Sequence, residues 1–202
     1  MTDRKAQKAR MRALARAARR RVPGAERRAA AEAVAAWAPD IAALAGRGAV
    51  SCFATFGDEL NTGPLIAALV RRGCRLALPV VVGRGRPLVF RRWKPGDPTG
   101  RGQFGIREPL PSAPEADPTV FLVPLLAFDR FGYRIGYGGG FYDRSLAQAR
   151  ADRRICAIGL AFAIQEVGLV PRDRYDQPVD FVLTERGLAK CIGGNRAAAL
   201  SW

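Results

Sequence analysis

The pattern of apolar and polar positions changes character near residue 48. Before this point, long stretches of strong helix formers predict one helix over residues 4–21 and a second over 25–45, which Pro39 could interrupt. The turn Val22-Pro23-Gly24 separates the two. After residue 48, short apolar runs alternate with helical segments. This alternation is typical of an α/β protein.

The apolar runs predict strands, and the segments between them predict helices. One helix begins at Thr62-Gly63-Pro64 and runs to Arg72, where Gly73 caps it, and another begins near Phe141. Strands are expected over residues 49–55, 75–82, 88–93, 119–126, 154–161 and 179–183. The runs 76–82 and 120–126 are continuously apolar, which suits strands buried on both faces and favours a mostly parallel central sheet.

One segment breaks the alternation. Residues 94–118 contain six prolines and four glycines. We therefore expect an irregular excursion over the surface rather than a linker between domains. A long loop inside a compact domain often serves a site.

The composition fits one compact domain and excludes several kinds of site. A chain of 202 residues that is 49% hydrophobic can bury its own core, so we expect a single domain over residues 1–202. The longest uncharged apolar run starts at Val120 and ends before Asp129, far short of the roughly 20 residues that cross a bilayer. The chain has no histidine, which excludes Ser/His/Asp and Cys/His triads, imidazole bases and HExxH zinc sites.

The cysteines indicate the cellular compartment of the protein, and the charges indicate the kind of partner it binds. Four cysteines without CxxC spacing are expected to be buried, reduced thiols of a cytoplasmic protein: Cys52, Cys74, Cys156 and Cys191. The formal net charge is +15, and the first 28 residues hold 11 basic and two acidic residues. An anionic partner is favoured, whether nucleic acid, nucleotide, polyglutamate or lipid headgroup. A transit peptide is the minor interpretation of the basic start, because serine is lacking there.

The most informative segment runs from Asp129 to Asp143, between an apolar strand and a helix. Four of its glycines fall within five residues, at Gly136, Gly138, Gly139 and Gly140. Such a loop can turn backbone amides around an anion at a helix N-terminus, so we consider phosphate binding beside the alternative of a flexible turn. Arg134 and Arg144 could bind phosphate oxygens, and Asp143 could bind magnesium, which favours the phosphate interpretation.

Two further segments carry chemistry less clearly. Asp58 and Glu59 lie between a strand end and a helix start, where open α/β sheets bind ligands, but on the residues alone the favoured interpretation is that they complement the helix dipole while Thr62 caps the helix. Lys8 and Arg12 are four residues apart on one helix face and could hold a polyphosphate, although a solvated basic face is the more common outcome.

These segments, in their order along nearly the whole chain, resemble the 5-formyltetrahydrofolate cyclo-ligases, also called methenyltetrahydrofolate synthetases. The block from Arg134 to Leu146 is highly specific, and the other segments are informative through their order and spacing. Those segments are Lys8-Ala-Arg-Met-Arg12, Phe56-Gly-Asp-Glu-Leu-Asn-Thr62, Gly73-Cys-Arg-Leu-Ala-Leu-Pro79, Phe90-Arg-Arg-Trp93, Phe104-Gly-Ile-Arg-Glu-Pro109, Val123-Pro-Leu-Leu-Ala-Phe-Asp129, Tyr175-Asp176 and Val179-Asp180.

The resemblance implies a three-layer α/β/α fold with a mostly parallel central sheet, similar to that of sugar-phosphate isomerases and CoA transferases. It also implies a cytoplasmic ligase of one-carbon metabolism that uses ATP and Mg²⁺. Such an enzyme closes 5-formyltetrahydrofolate to 5,10-methenyltetrahydrofolate and releases ADP and phosphate. Transfer of the terminal phosphoryl group to the formyl oxygen would give an iminium phosphate, which the second folate nitrogen then attacks.

The resemblance further implies residue roles. Arg134 and Glu59 would be catalytic, and Asp143 and Asp176 would bind magnesium. ATP would contact Lys8, Arg12, Arg134, Gly136, Tyr137, Gly138, Gly139, Gly140, Phe141 and Tyr142, with the basic N-terminal helix contributing to the nucleotide site. The folate would contact Ala54, Glu59, Trp93, Tyr137 and Phe141. For Trp93, packing in the core is an equally open interpretation.

Two positions depart from the family pattern, and one other class of function stays open. Tyr175 stands where many relatives have histidine, and Gly139 where some have lysine. The alternative function is a basic nucleic-acid-binding protein without catalytic activity, although no RNP, KH, zinc-finger or helix-turn-helix signature supports it. The expected partners are ATP and a reduced formyl folate, free or polyglutamylated, with no specific nucleic acid and no membrane. A monomer is favoured over an oligomer.

Overall fold

A computed structural model describes residues 2–193, so residues 1 and 194–202 of the expected single domain lie outside it. The helices in this range are α1 Thr2–Arg20, α2 Gly24–Ala35, α3 Ala38–Ala45, α4 Gly63–Arg71 and α5 Phe141–Asp152, with a 3₁₀ turn at Ala163–Gln165. The strands are β1 Ala49–Ser51, β2 Arg75–Val80, β3 Val89–Arg92, β4 Thr99–Arg101, β5 Arg107–Pro109, β6 Pro118–Pro124, β7 Ala127–Phe128, β8 Arg134–Ile135, β9 Cys156–Leu160, β10 Phe181–Thr184 and β11 Gly187–Lys190.

The centre of the fold is a seven-stranded sheet in the order β11-β10-β9-β6-β1-β2-β3. The five inner strands run parallel to one another, whereas β11 and β3 pair antiparallel at the two edges. Helices cover both faces. The expected three-layer architecture with a mostly parallel sheet is therefore confirmed.

The apolar sequence of β6 explains why it is buried on both faces. Successive side chains of a strand point to opposite sides of the sheet. Val120 and Leu122 belong to the core beneath α2, α3 and α4, whereas Phe121 and Val123 belong to the core beneath α5. Each of these four side chains is at most 1% exposed. Because β6 contributes to a core on each face of the sheet, its residues are apolar at every one of these positions.

Three elements differ from the sequence-based expectation. The strand expected over 49–55 ends at Ser51, because the chain then bends so that Thr55 hydrogen-bonds Thr62. The helix expected over 25–45 is two helices, with Pro39 in the first turn of the second, where a missing N–H costs least. Residues 94–118 are not wholly irregular, since β4 and β5 pair as a hairpin.

The expectation for the cysteines is correct for three of the four. Cys52, Cys156 and Cys191 are buried free thiols, and burial raises the pKa of each to about 12. Cys74 is only half-buried, since it lies in the turn between α4 and β2. Thiolate chemistry is therefore suppressed at the three buried positions.

Helix α1 packs on the small β7–β8 hairpin rather than on the main sheet. Ala15 of this helix shares a buried cluster with Leu126, Ala127 and Ile135. The helix carries too many charges to enter a bilayer, and no helix within residues 2–193 is long and apolar enough to cross a membrane. Its apolar contacts instead fix it beside the segment that follows β6.

Asp129 organises the turn that joins β7 to β8. Its side chain is fully buried, and its Oδ1 accepts hydrogen bonds from the amides of Phe131 and Tyr133 at 2.9 and 3.1 Å. Its Oδ2 accepts a third from the amide of Val170 at 3.0 Å. One carboxylate thus satisfies three backbone donors and ties the hairpin to the segment near Val170.

We expect Asp129→Asn to lower the free energy of unfolding by about 2–3 kcal/mol, because the new NH₂ group must face a backbone donor. Asp117→Asn is the matched control: Asp117 is exposed and, within residues 2–193, pairs only with Arg153 at 3.3 Å, so its loss should cost less than about 0.5 kcal/mol. Urea titration measures both. Equal midpoints for the two variants would contradict the role given to Asp129.

Candidate active site

The crevice between β1 and β6 is where the fold can bind a ligand. These strands are parallel neighbours, but β1 leads into α4 on one face of the sheet and β6 leads towards α5 on the other. Their loops therefore diverge at the carboxyl edge, and such a switch point is the usual ligand site of open α/β sheets. Helix α1 packs at the same edge, against β7, β8 and the 3₁₀ turn.

The glycine loop, residues 136–140, links β8 to α5 at this crevice. Gly138 and Gly140 have φ values of 102° and 63°, which favour glycine, and Gly140 immediately precedes the first turn of α5. A Cβ at Gly138 would lie 3.4 Å from the Arg12 guanidinium carbon, and Nε of Arg12 donates to the carbonyl of Gly136 at 2.9 Å. The loop is thus fitted around a cation from α1, next to the N-terminus of a 12-residue helix.

Arg134 lies at the base of the loop, with its side chain 5% exposed. Its Nη2 donates to Oδ1 of Asp143 at 2.9 Å, and its Nη1 donates to the carbonyl of Gln177. The amide of Gln177 also donates to Oδ1 of Asp143, at 3.1 Å. These bonds place Asp176, the residue before Gln177, beside the start of α5.

Lys8 meets this group from α1. Its Nζ donates to Oδ2 of Asp173 at 3.0 Å and to Oδ2 of Asp176 at 2.6 Å. Burial alone would lower the pKa of Lys8, but the hydrogen bonds to the two carboxylates outweigh it and raise the pKa. Lys8 is therefore a firmly charged ammonium at the crevice.

Glu59 forms the other side of the crevice and is 9% exposed. Its Oε1 accepts a hydrogen bond from the hydroxyl of Tyr137 at 2.6 Å, and its Oε2 accepts one from the amide of Phe56 at 2.9 Å. Burial raises the pKa of Glu59, although both hydrogen bonds oppose the shift. Burial and the nearby charge of Glu59 raise the pKa of Tyr137 to about 12.

The capping interpretation of the 58–62 segment is wrong. Thr62 precedes α4 but makes no capping bond with its side chain, and its hydroxyl donates to the carbonyl of Phe53 at 3.1 Å. Asp58 does not face the helix, since its Oδ1 accepts from Nη2 of Arg19 at 2.5 Å. Ala54 lies in the same loop, between β1 and Glu59. The two carboxylates therefore point to other elements of the crevice.

Trp93 does not join this group of residues. It follows β3, which runs antiparallel to β2, and its amide donates to the carbonyl of Leu76 at 3.0 Å near the amino end of β2. The carboxyl edge with the glycine loop lies at the opposite end of the sheet. Trp93 packs against the core beneath α2, α3 and α4, which favours the core-packing interpretation.

Phe104 is an aromatic residue that does reach the loop, although no role was expected for it from the sequence. It lies at the tip of the β4–β5 hairpin, 50% exposed, with its ring centroid 5.9 Å from that of Phe141 in an edge-to-face arrangement. An exposed phenylalanine between two glycines in a Pro-rich loop is a signal that could have been used. The hairpin thus brings an aromatic face to the crevice.

Arg19 is a further residue with no role expected from the sequence, and Tyr142, which was expected to contact ATP, has a hydroxyl whose surroundings the sequence did not reveal. Arg19 is 2% exposed and lies 11 residues after Lys8, which is about three helical turns. The hydroxyl of Tyr142 is buried without a hydrogen-bond partner among the described residues, and its pKa is raised by burial and by the charges of Glu59 and Cys52. A buried hydroxyl beside Glu59 is available to a ligand.

Three comparisons identify proteins that are similar to this chain. A model of the 5-formyltetrahydrofolate cyclo-ligase family matches residues 4–185. The 5-formyltetrahydrofolate cyclo-ligase of Mycolicibacterium smegmatis is 35% identical over 179 residues, which cover 84% of this chain and 90% of the relative. The Escherichia coli K12 protein of the same name is 36% identical over 141 residues, covering 67% of this chain and 76% of the relative.

The solved structures agree with the sequence relatives. The NMR structure of Aquifex aeolicus 5,10-methenyltetrahydrofolate synthetase has a TM-score of 0.75 and 27% identity, and the match covers 96% of both chains. The Mycoplasma pneumoniae synthetase, at 18% identity and a TM-score of 0.70, shares the fold over 88% of this chain and 98% of its own. From these similarities and the crevice described above, we conclude that the chain belongs to the 5-formyltetrahydrofolate cyclo-ligase family of enzymes.

Proposed function

We propose that this enzyme uses ATP to close 5-formyltetrahydrofolate to 5,10-methenyltetrahydrofolate, with release of ADP and phosphate. One observation carries the proposal: the glycine loop connects a cationic group suited to phosphates with a buried carboxylate suited to a polar heterocycle. Tyr137 of the loop hydrogen-bonds Glu59 at 2.6 Å, and Gly136 of the same loop accepts from Arg12 at 2.9 Å. The names of the relatives and of the Aquifex structure fit this reaction.

The cations fit the phosphoryl-transfer half of the reaction. A formamide oxygen is a poor leaving group, so transfer of the ATP terminal phosphoryl group to it activates the formyl carbon for attack by the second folate nitrogen. Little base chemistry is needed for such a transfer, but charge must be neutralised and the groups aligned. Arg134, Arg12 and Lys8 are three cations around the loop that can bind phosphate oxygens.

The carboxylate fits the folate half. A buried, ionised Glu59 can accept hydrogen bonds from N–H groups of a reduced pterin, and Tyr137 orients it. The hydroxyl of Tyr142, which has no partner among the described residues, supplies a further donor close enough to feel the charges of Glu59 and Arg134. Phe141 and Phe104 offer aromatic surface on the same side of the loop. We therefore assign folate contact to Phe104 in preference to Trp93.

The two expected magnesium ligands fit a metal that is shared with phosphates. Each of Asp143 and Asp176 uses only one carboxylate oxygen in hydrogen bonds to described residues, which leaves the other for a cation. Within residues 2–193 no cluster of three or more His, Cys, Asp or Glu side chains could hold a metal alone. Mg²⁺ usually takes one or two carboxylates and completes its shell with waters and phosphate oxygens, and there it would neutralise charge during phosphoryl transfer.

The decisive test follows the absorbance of methenyl-folate after 5-formyltetrahydrofolate is mixed with the full chain, with and without ATP and Mg²⁺. We expect product only when ATP is present. Product without ATP, or none under any condition, would contradict the proposal. Filter binding of nucleic acid across a salt series tests the alternative, for which we expect only weak retention that disappears as salt rises.

The role of Asp143 predicts a metal-dependent defect. Asp143→Asn should lower turnover by about two orders of magnitude and raise the Mg²⁺ concentration needed for half-maximal rate, because an amide binds magnesium weakly. The matched control is Asp152→Asn, the same change at the far, exposed end of α5. A Mg²⁺ titration of both variants decides the point. Near-wild-type turnover of Asp143→Asn at ordinary magnesium would refute the ligand role.

The two aromatic candidates predict different kinetics. Phe104→Ala should raise KM for the folate by about fivefold, since an edge or stacking contact contributes about 1 kcal/mol, and should leave KM for ATP nearly unchanged. Trp93→Phe should lower thermal stability and leave both KM values near those of the wild type. Steady-state kinetics with each substrate varied in turn measure the effects. The reverse pattern would return folate contact to Trp93.

A further inference from the structure

Arg19 lies at the end of a chain of contacts that leads to Glu59. Its Nη2 donates to Oδ1 of Asp58 at 2.5 Å and to the hydroxyl oxygen of Tyr137 at 3.1 Å. The hydroxyl of Tyr137 in turn donates to Glu59 at 2.6 Å. The chain therefore joins α1, the 58–59 loop and the glycine loop through side chains alone.

The chemistry of the guanidinium group fixes the direction of this chain. A guanidinium donates hydrogen bonds and cannot accept them. The oxygen of Tyr137 must therefore accept from Arg19, and its own proton is left for Glu59. Both oxygens of Glu59 act as acceptors, one from Tyr137 and one from the amide of Phe56, which suits an ionised carboxylate.

We propose that Arg19 is a positioning residue that keeps Glu59 ionised and aligned for the folate, acting through Tyr137 from the helix that also carries Lys8 and Arg12. This inference rests on the proposed function for its consequence in catalysis, but the ionisation of Glu59 can be tested without any substrate. Neither Arg19 nor Asp58 is among the residues expected to contact ATP, the folate or magnesium.

The surroundings of Arg19 keep it in place. Arg27 of α2 donates from Nε to the carbonyl of Val22 at 2.9 Å, from Nη1 to the carbonyl of Asp58 at 2.7 Å, and from Nη2 to the carbonyl of Arg19. The end of α1 and the 58–59 loop are thus held to the same side chain. Arg19 itself is 2% exposed, so solvent screens its charge little.

Few titratable groups face Glu59, and the direction in which the charged ones shift its pKa is known. Asp58 lies on its own loop, Arg19 comes from α1, Tyr137 from the glycine loop and Tyr142 from α5. Arg19 lowers the pKa of Glu59, whereas Asp58 raises it. Removing Arg19 and removing the charge of Asp58 should therefore shift the ionisation of Glu59 in opposite directions. General damage to the fold would not produce opposite shifts.

The test uses the tyrosine signals of the full chain labelled with ¹³C at Cζ. The chain has four tyrosines, and Tyr137→Phe identifies the signal of Tyr137. Because its hydroxyl bonds Glu59, this signal should report the pH at which Glu59 gains a proton. The titration of Asp58 should be distinguishable from that of Glu59. Burial alone would raise the pKa of Asp58, but its bonds to Arg19 lower it, whereas the pKa of Glu59 is raised.

We expect Arg19→Gln to move the titration midpoint of the Tyr137 signal upward by about one pH unit, and Asp58→Asn to move it downward. The matched control is Arg10→Gln, which removes the same charge from an exposed residue on the opposite face of α1 and should leave the midpoint unchanged. An unchanged midpoint in Arg19→Gln would overturn the proposal. If that variant does not fold, the Asp58→Asn midpoint decides, and a shift that is absent or upward overturns the proposal.

The kinetic arm links the ionisation to the reaction. The acidic limb of kcat/KM for the folate should move with the NMR midpoint in each variant, while KM for ATP stays within about twofold of the wild type. If the wild-type chain forms no methenyl-folate, the proposed function fails and the NMR arm still decides the role of Arg19. If the wild type is active and neither the midpoint nor the acidic limb moves in Arg19→Gln, the inference on Arg19 fails alone.

Discussion

Helix α1 can pack on the rest of the protein only if each cation on its buried face meets a hydrogen-bond acceptor. A buried charge without a partner costs several kcal/mol, so such a helix can pack only where acceptors already stand at the right intervals. The carboxyl edge of the sheet supplies them: carboxylates for Lys8 and Arg19, and a loop carbonyl for Arg12. Since these acceptors come from three different loops, docking of the helix also brings the loops together. The docked helix thus holds these three loops around the crevice between β1 and β6.

The same pairs explain how a site so rich in arginine can exchange partners with a substrate. Arg134 and Lys8 are paired with Asp143 and Asp176, the carboxylates assigned to magnesium. If a metal–triphosphate binds, each cation can turn to a phosphate oxygen while each carboxylate turns to the metal. Each of these charged groups would then have a partner of opposite sign both before and after binding. Preorganised groups of this kind require little rearrangement during a reaction, which would suit the proposed phosphoryl transfer without a histidine.

The sequence revealed most of what depends on local pattern and little of what depends on pairing. The apolar runs predicted the parallel sheet because two-sided burial leaves a continuous apolar signature, as in Val120 to Val123. The β4–β5 hairpin was missed because its prolines and glycines are typical of loops. Trp93 could not be placed from sequence, since its position depends on β3 running back along β2. Arg19 could have been found, because it shares the helix face of Lys8 and Arg12.

The charge on Glu59 is better explained by ligand binding than by stability. The pKa of Glu59 is raised on folding, so the folded protein binds this proton more tightly than the unfolded chain does. The contribution of Glu59 to stability is therefore greatest at low pH and falls as the pH rises through the raised pKa. Once Glu59 is ionised, its carboxylate costs folding free energy, and Arg19 reduces that cost without removing it. A buried carboxylate that the fold tolerates at a loss, with a tyrosine proton directed at it, is the kind of perturbed group that marks a functional site, and a hydrogen bond from the proposed folate substrate would offset its cost.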